Sequence, residues 1–119
     1  MANKAYTEIK DSFARNCVVF IWEGLTDGDV GEPILLPGFA DKTVQVKGNF
    51  GTGASVTIEG SNDVMGSPTY AALADAQGNV LSITIAKIEV ILENPYLIRP
   101  NVSGGGGSVN LTVSICCKR

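Results

Sequence analysis

Chemistry in this chain would have to come from carboxylates, thiols and hydroxyls, because the sequence contains no histidine. Asp27, Asp29 and Glu32 fall within one short segment and invite a cation reading. An EF-hand loop needs a further oxygen ligand, a glycine at its sixth position and a glutamate at its twelfth, whereas this segment supplies only Asp27-Gly28-Asp29. A solvated turn is the simpler account. Ser61-Asn62-Asp63 has a similar density of oxygens, and whether the two acidic loops bind a cation stays open at this stage. Glu59, Asp63, Glu89 and Glu93 could nominally supply the paired carboxylates of a glycosidase, but they fall at solvent-facing strand positions and turns. A serine or cysteine nucleophile needs a base within hydrogen-bond reach, most often histidine, so triad chemistry is not expected. The glycines of Gly48-Asn49-Phe50-Gly51-Thr52-Gly53 join two strands, while a phosphate cradle needs a helix N-terminus behind it. The expectation is a protein that is not an enzyme and holds no cofactor or metal.

The cysteines agree with that expectation. Cys17, Cys116 and Cys117 are odd in number, and adjacent strand residues point to opposite faces, so Cys116 and Cys117 cannot both turn inward. They read as small apolar fillers in a chain kept in a reducing cytosol. The sequons Asn101-Val102-Ser103 and Asn110-Leu111-Thr112 then read as coincidence, since residues 1–10 are polar and show no signal-peptide core.

Positioning falls to strands. Val44/Val46, Val56/Ile58, Leu81/Ile83/Ile85, Ile88/Val90/Leu92 and Leu111/Val113/Ile115 alternate with polar neighbours, so each run offers one face to a core. Residues 17–23 are apolar on both faces and read as a covered strand. Thr26-Asp27-Gly28-Asp29 and Asp75-Ala76-Gln77-Gly78-Asn79 are turns. Thr43–Phe50 and Ala54–Gly60 flank Gly51-Thr52-Gly53 and predict a hairpin. Val80–Ala86 and Lys87–Glu93 read as two strands, with one long bent strand or a helix as alternatives. Pro33 and Pro37 bracket Ile34-Leu35-Leu36 as an edge strand or an irregular crossing, and Pro95 and Pro100 bracket a further strand assigned to a sheet edge. The four-glycine run Gly104–Gly107 reads as a mobile loop.

The architecture expected is all-β, a jelly-roll-like β-sandwich or small barrel spanning residues 16–119, preceded by an N-terminal arm of residues 1–15. The arm forms either one amphipathic helical turn or an extended strap ordered on docking. A length of 119 residues suits one domain. Charged residues make up only 18% and the net charge is −3, so nucleic acid is not an expected partner and part of the surface is expected to meet protein. The longest apolar stretch, Cys17 to Trp22, is six residues, too short for a membrane-spanning helix.

Three stretches carry a resemblance: Val56-Thr57-Ile58-Glu59-Gly60-Ser61-Asn62-Asp63, the turn at Asp75 to Asn79, and Tyr96-Leu97-Ile98-Arg99-Pro100-Asn101-Val102 with its glycine loop and final strand. Together, over residues 40–116, they resemble the capsid decoration (cement or staple) proteins of tailed bacteriophages of the epsilon15-like podovirus type. The resemblance implies a jelly-roll-like virion structural protein on the capsid exterior, made in the host cytoplasm. It would stabilise contacts between major capsid protein subunits and associate with itself as a homodimer or homotrimer. The partner-binding residues expected on the arm and proline-flanked edges are Ile9, Phe13, Ile34, Leu35, Tyr96 and Arg99. Deleting residues 1–15 is then expected to weaken shell binding and leave the β-core folded. The alternative is a carbohydrate- or receptor-binding β-module of a phage tail or fibre, for which Trp22, Tyr70 and Tyr96 are the aromatic candidates.

Overall fold

A computed structural model describes residues 3–10, 16–35 and 39–119. Among these, the strands are β1 (Asn3–Lys4), β2 (Thr7–Lys10), β3 (Cys17–Leu25), β4 (Val30–Gly31), β5 (Ile34–Leu35) and β6 (Asp41–Asn49). They continue as β7 (Ser55–Ser61), β8 (Ala71–Ala72), β9 (Ser82–Ile83), β10 (Lys87–Val90), β11 (Leu97–Ser103) and β12 (Asn110–Lys118). One 3-10 turn at Gly106–Ser108 is the only helical element among the described residues.

The strands form a two-layer sandwich, in keeping with the all-β expectation. A five-stranded sheet runs β10-β6-β12-β3-β2, antiparallel throughout. The facing seven-stranded sheet runs β1-β4-β11-β7-β8, with β5 added to β11 and β9 to β7. Alternation supplies the core: Phe20, Trp22, Val44, Val46, Val113 and Ile115 from the first sheet meet Val56, Ile58, Ile98 and Val102 from the second. Trp22 is fully buried, and its indole N–H donates to the Glu32 carbonyl at 3.1 Å.

The structure departs from the local expectations at several points. The hairpin at Gly51–Gly53 is instead an arch, since β6 lies in the five-stranded sheet and β7 in the other. Both strands carry a valine-rich inner face, and each face is covered by placing the two in opposite layers. Glycine turn signals do not distinguish the two outcomes. The run Val80–Glu93 forms two strands, as expected, and these too lie in opposite layers, β9 pairing with β7 and β10 with β6.

Proline did not confine β11 to an edge. Pro100 pairs with Ile58 in mid-sheet. The Val102 amide donates to the Asp29 carbonyl at 2.9 Å, so the position two residues earlier faces the same side, where the sheet changes partner from β5 to β4. The missing proline N–H thus falls at a break in the ladder. Gly31 sits beneath the ring, and a Cβ there would come 2.6 Å from Pro100 Cδ.

The glycine loop is held rather than loose. Asp27 accepts from the Gly104 and Gly106 amides at 2.8 and 3.4 Å, and the Gly105 carbonyl accepts from the Thr52 amide at 3.0 Å. Gly105 has φ +87°, and a side chain there would strike Ala54 and Val109.

The described part of the N-terminal segment is extended, with no helical turn. β1 pairs in parallel with β4 of one sheet, and β2 pairs with β3 of the other. Between them Tyr6 packs edge-on against Phe20 and Trp22, with ring centroids 5.2 and 5.9 Å away.

Candidate docking face

The outer face of the five-stranded sheet is assembled from residues that oppose one another across its strands. One row reads Val90, Thr43, Cys116, Val19 and Ile9; the next reads Ile88, Gln45, Ser114, Ile21 and Thr7. Neither row contains a charge. In a sandwich with one wet face, outward positions normally alternate to polar residues, yet here β-branched apolar side chains stand outside. Ile88, Val90, Leu92 and Ile9 are 59, 46, 51 and 49% exposed.

The inversion is sharpest on β10. Its inward-side partners Val44 and Val46 oppose Glu89 and Lys87, which form an ion pair at 3.7 Å, while Ile88 and Val90 turn outward. The run Ile88/Val90/Leu92 is therefore not a core face, contrary to its alternation; Ile91, 2% exposed, enters the core instead. Ile85 is also outside at 65%, although Leu81 and Ile83 are buried as the pattern implied. Beside β10, an open groove of about 380 Å³ is lined by Thr43, Val90, Leu92, Cys116 and Lys118 among others.

Charges flank the two rows: Asp41, Lys47 and Lys118 are exposed at the neighbouring outward positions of β6 and β12, whereas Lys42 is buried. Lys42 is buried at the end of β6 and donates to the Ala40 carbonyl at 3.3 Å and to Asn94 Oδ1. Burial holds its ammonium below the usual lysine range, against the opposing pull of Cys117, Asp41 and Glu93. Cys117, behind the sheet, is pushed up to about 12, first by burial and then by Cys116. Outside, the Cys17 and Cys116 sulfurs lie 3.6 Å apart, and burial followed by the Cys17 contact raises the Cys116 thiol.

The residues expected to bind partners do not gather in one place. Ile9 lies on the outer row described above. Leu35, 51% exposed, lies instead on the seven-stranded sheet, opposite Leu97. Ile34 is a correction: it is fully buried, because its alternation partner Leu35 takes the outward position on a two-residue strand. Phe13 lies outside the described residues. Tyr96 is half-buried, its backbone amide donating to Asn62 Oδ1 at 2.9 Å. Arg99 is committed within the chain, its Nε donating to Glu59 Oε1 at 2.9 Å and its guanidinium lying 3.6 Å over the Tyr70 ring. Sequence reasoning missed Ile88, Val90 and Leu92; the signal was the clash of phase between Val90 and Ile91, since neighbours on a strand cannot both face inward.

The acidic segments have structural partners. Asp27 anchors the glycine loop, and Asp29 accepts from the Thr26 amide and hydroxyl at 2.8 and 2.9 Å. Asp63 accepts from the Thr69 amide at 2.6 Å. Among the described residues no helix is long and apolar enough to cross a membrane.

No protein-family model matches this chain, and no curated protein matches it in sequence. In fold it is similar to the SPBc2 prophage-derived protein YomS, whose crystal structure covers 87% of this chain and 95% of its own with TM-score 0.62. The two are 14% identical, so the likeness concerns the fold.

Proposed function

We propose that this chain is a structural protein of a tailed-phage particle, a decoration subunit that sits on the capsid exterior and ties neighbouring major capsid protein subunits together. Its work is binding, with no catalytic step. The observation that carries this reading is the pair of uncharged central rows on the outer face of the five-stranded sheet, with Ile88 and Val90 exposed, which burial against protein would favour by roughly 25 cal/mol per Å² of apolar surface covered. The fold likeness to a prophage-derived protein supports a phage setting. Repetition over a symmetric shell lets a modest contact act collectively.

The tail or fibre binding module receives less support. Trp22 is enclosed in the core, and Tyr70 lies beneath Arg99, so neither offers a bare ring to a sugar.

The test is depletion and return. Particles stripped of this protein are expected to rupture at lower temperature or milder osmotic shock, and adding the purified chain back should restore the original threshold. Shells equally robust with and without it would end the capsid reading.

A further inference from the structure

We propose that β10 is a self-pairing edge through which two copies of this chain form a two-fold dimer, joining their five-stranded sheets into one continuous sheet. β10 has a neighbour on one side only, β6. The Ile91 amide donates to the carbonyl of Lys42 in β6 at 3.0 Å, and the Leu92 amide donates the other way, to the Ala74 carbonyl at 2.9 Å. Backbone groups alternate sides along a strand, so the N–H and C=O of Ile88 and Val90 point away from β6, at the open edge. The Ala74 contact closes that edge at Leu92 and confines pairing to residues 86–90.

The second copy is identified by charge. Antiparallel pairing about a two-fold axis at Ile88 sets Ile88 against Ile88 of the other copy, where both N–H and C=O are free to be exchanged. It also sets Lys87 against Glu89 twice, once on each side of the axis. Moving the axis by one residue would oppose Glu89 to Glu89 or Lys87 to Lys87, which like charges disfavour. The alternation Lys87-Ile88-Glu89-Val90 is therefore complementary to itself in one register. On the outer face the same register brings the exposed Ile88 side chains together. Long, exposed apolar edges are ordinarily blunted, and here the edge carries a lysine and a glutamate that pair rather than repel. A four-residue edge is short beside the roughly 1,200 Å² that stable interfaces bury, so the dimer is expected to dissociate on dilution.

This inference stands on the edge geometry and does not need the capsid reading. The experiment is a charge exchange followed by sedimentation equilibrium, from micromolar to about 1 mM protein. The wild-type chain should show concentration-dependent dimers. Lys87→Glu alone and Glu89→Lys alone each place like charges across the axis and should weaken dimerisation roughly tenfold or more. An equimolar mixture of the two variants restores both opposite pairs and should dimerise as wild type does, which also shows that each variant folds. A wild-type chain monomeric throughout, variants that dimerise undiminished, or a mixture that fails to recover would each overturn the proposal. Loss of shell protection with the dimer intact would count against the capsid role only.

Discussion

The two outer faces of the sandwich share a backbone plan and differ in chemistry. On the seven-stranded sheet, Glu59 receives Arg99 at 2.9 Å and Asn101 at 3.2 Å, Arg99 covers Tyr70, and the Ser55 and Ser82 hydroxyls meet at 2.7 Å. Its polar groups are satisfied within the chain, so water can cover it without further partners. The five-stranded sheet presents Val19, Ile21, Ile88 and Val90 among threonine, serine, glutamine and cysteine, with no charge in its two central rows. Apolar area on an outer face contributes free energy only when something covers it, which is why the proposed docking is assigned to the five-stranded sheet.

The largest expected effect tests that contrast directly. Val19→Asp puts a carboxylate into the two uncharged central rows, where an interface would desolvate it, and should lower affinity for stripped shells by about a hundredfold or more. Thr57→Asp on the opposite face should change it less than about threefold, a difference well below 1 kcal/mol. Titrating both variants against depleted particles gives the comparison, and equal losses would mean that docking is not confined to one face. Stability should show the reverse asymmetry. Arg99→Ala removes a charge-assisted hydrogen bond and a cation–π contact and leaves Glu59 short of a partner, for an expected loss of about 1–2 kcal/mol. Gln45→Ala in the uncharged rows should stay within about 0.5 kcal/mol by urea denaturation.

The contrast was only partly legible in the sequence. Alternation identified the buried members of β6, β7 and β12 correctly, because a residue such as Val44 or Ile115 has one side facing the other layer wherever the strand lies. Layer assignment was not legible. Whether Gly51-Thr52-Gly53 turns a strand back along its own sheet or carries it across the sandwich depends on tertiary burial, which local turn chemistry does not encode. The same ambiguity hid the outward apolar row, since an alternating run such as Ile88-Glu89-Val90 reads identically with its apolar side in or out. Pro100 misled in another way: proline excludes a ladder bond, and the fold supplied a gap between β4 and β5 at the place where that bond is missing.

The N-terminal segment now carries a different expectation from that of a detachable strap. Removing residues 1–10 would strip a strand from each sheet and uncover Trp22, now screened by Tyr6. Loss of shell binding in such a deletion would thus report on stability as well as docking, and Val19→Asp is the cleaner probe.

The smallest expected effect separates the two sides of a single strand. Cys116 faces outward beside Cys17, while Cys117 faces the core opposite Lys42, and burial carries the Cys117 thiol from the ordinary 9.0 to about 12. A thiol whose folded pKa is raised keeps its proton when the unfolded chain has lost it. Its contribution to stability is therefore complete below pH 9 and is lost as pH rises from 9 towards 12. The loss is bounded by roughly 1.4 kcal/mol per pH unit, and solvent screening at the strand end lowers it further. Lys42 acts in the opposite direction, because an ammonium held below its usual range binds its proton less well in the folded chain, so its burden lightens with rising pH. Tyr70, raised chiefly by burial, adds a further loss only above about pH 10. Melting temperatures between pH 8 and 10 should consequently fall in the wild-type chain and stay flatter in Cys117→Val, which keeps the volume and removes the titration. Parallel curves would show that the Cys117 thiol is not protected by the core, and would remove the distinction between the inner and outer sides of β12.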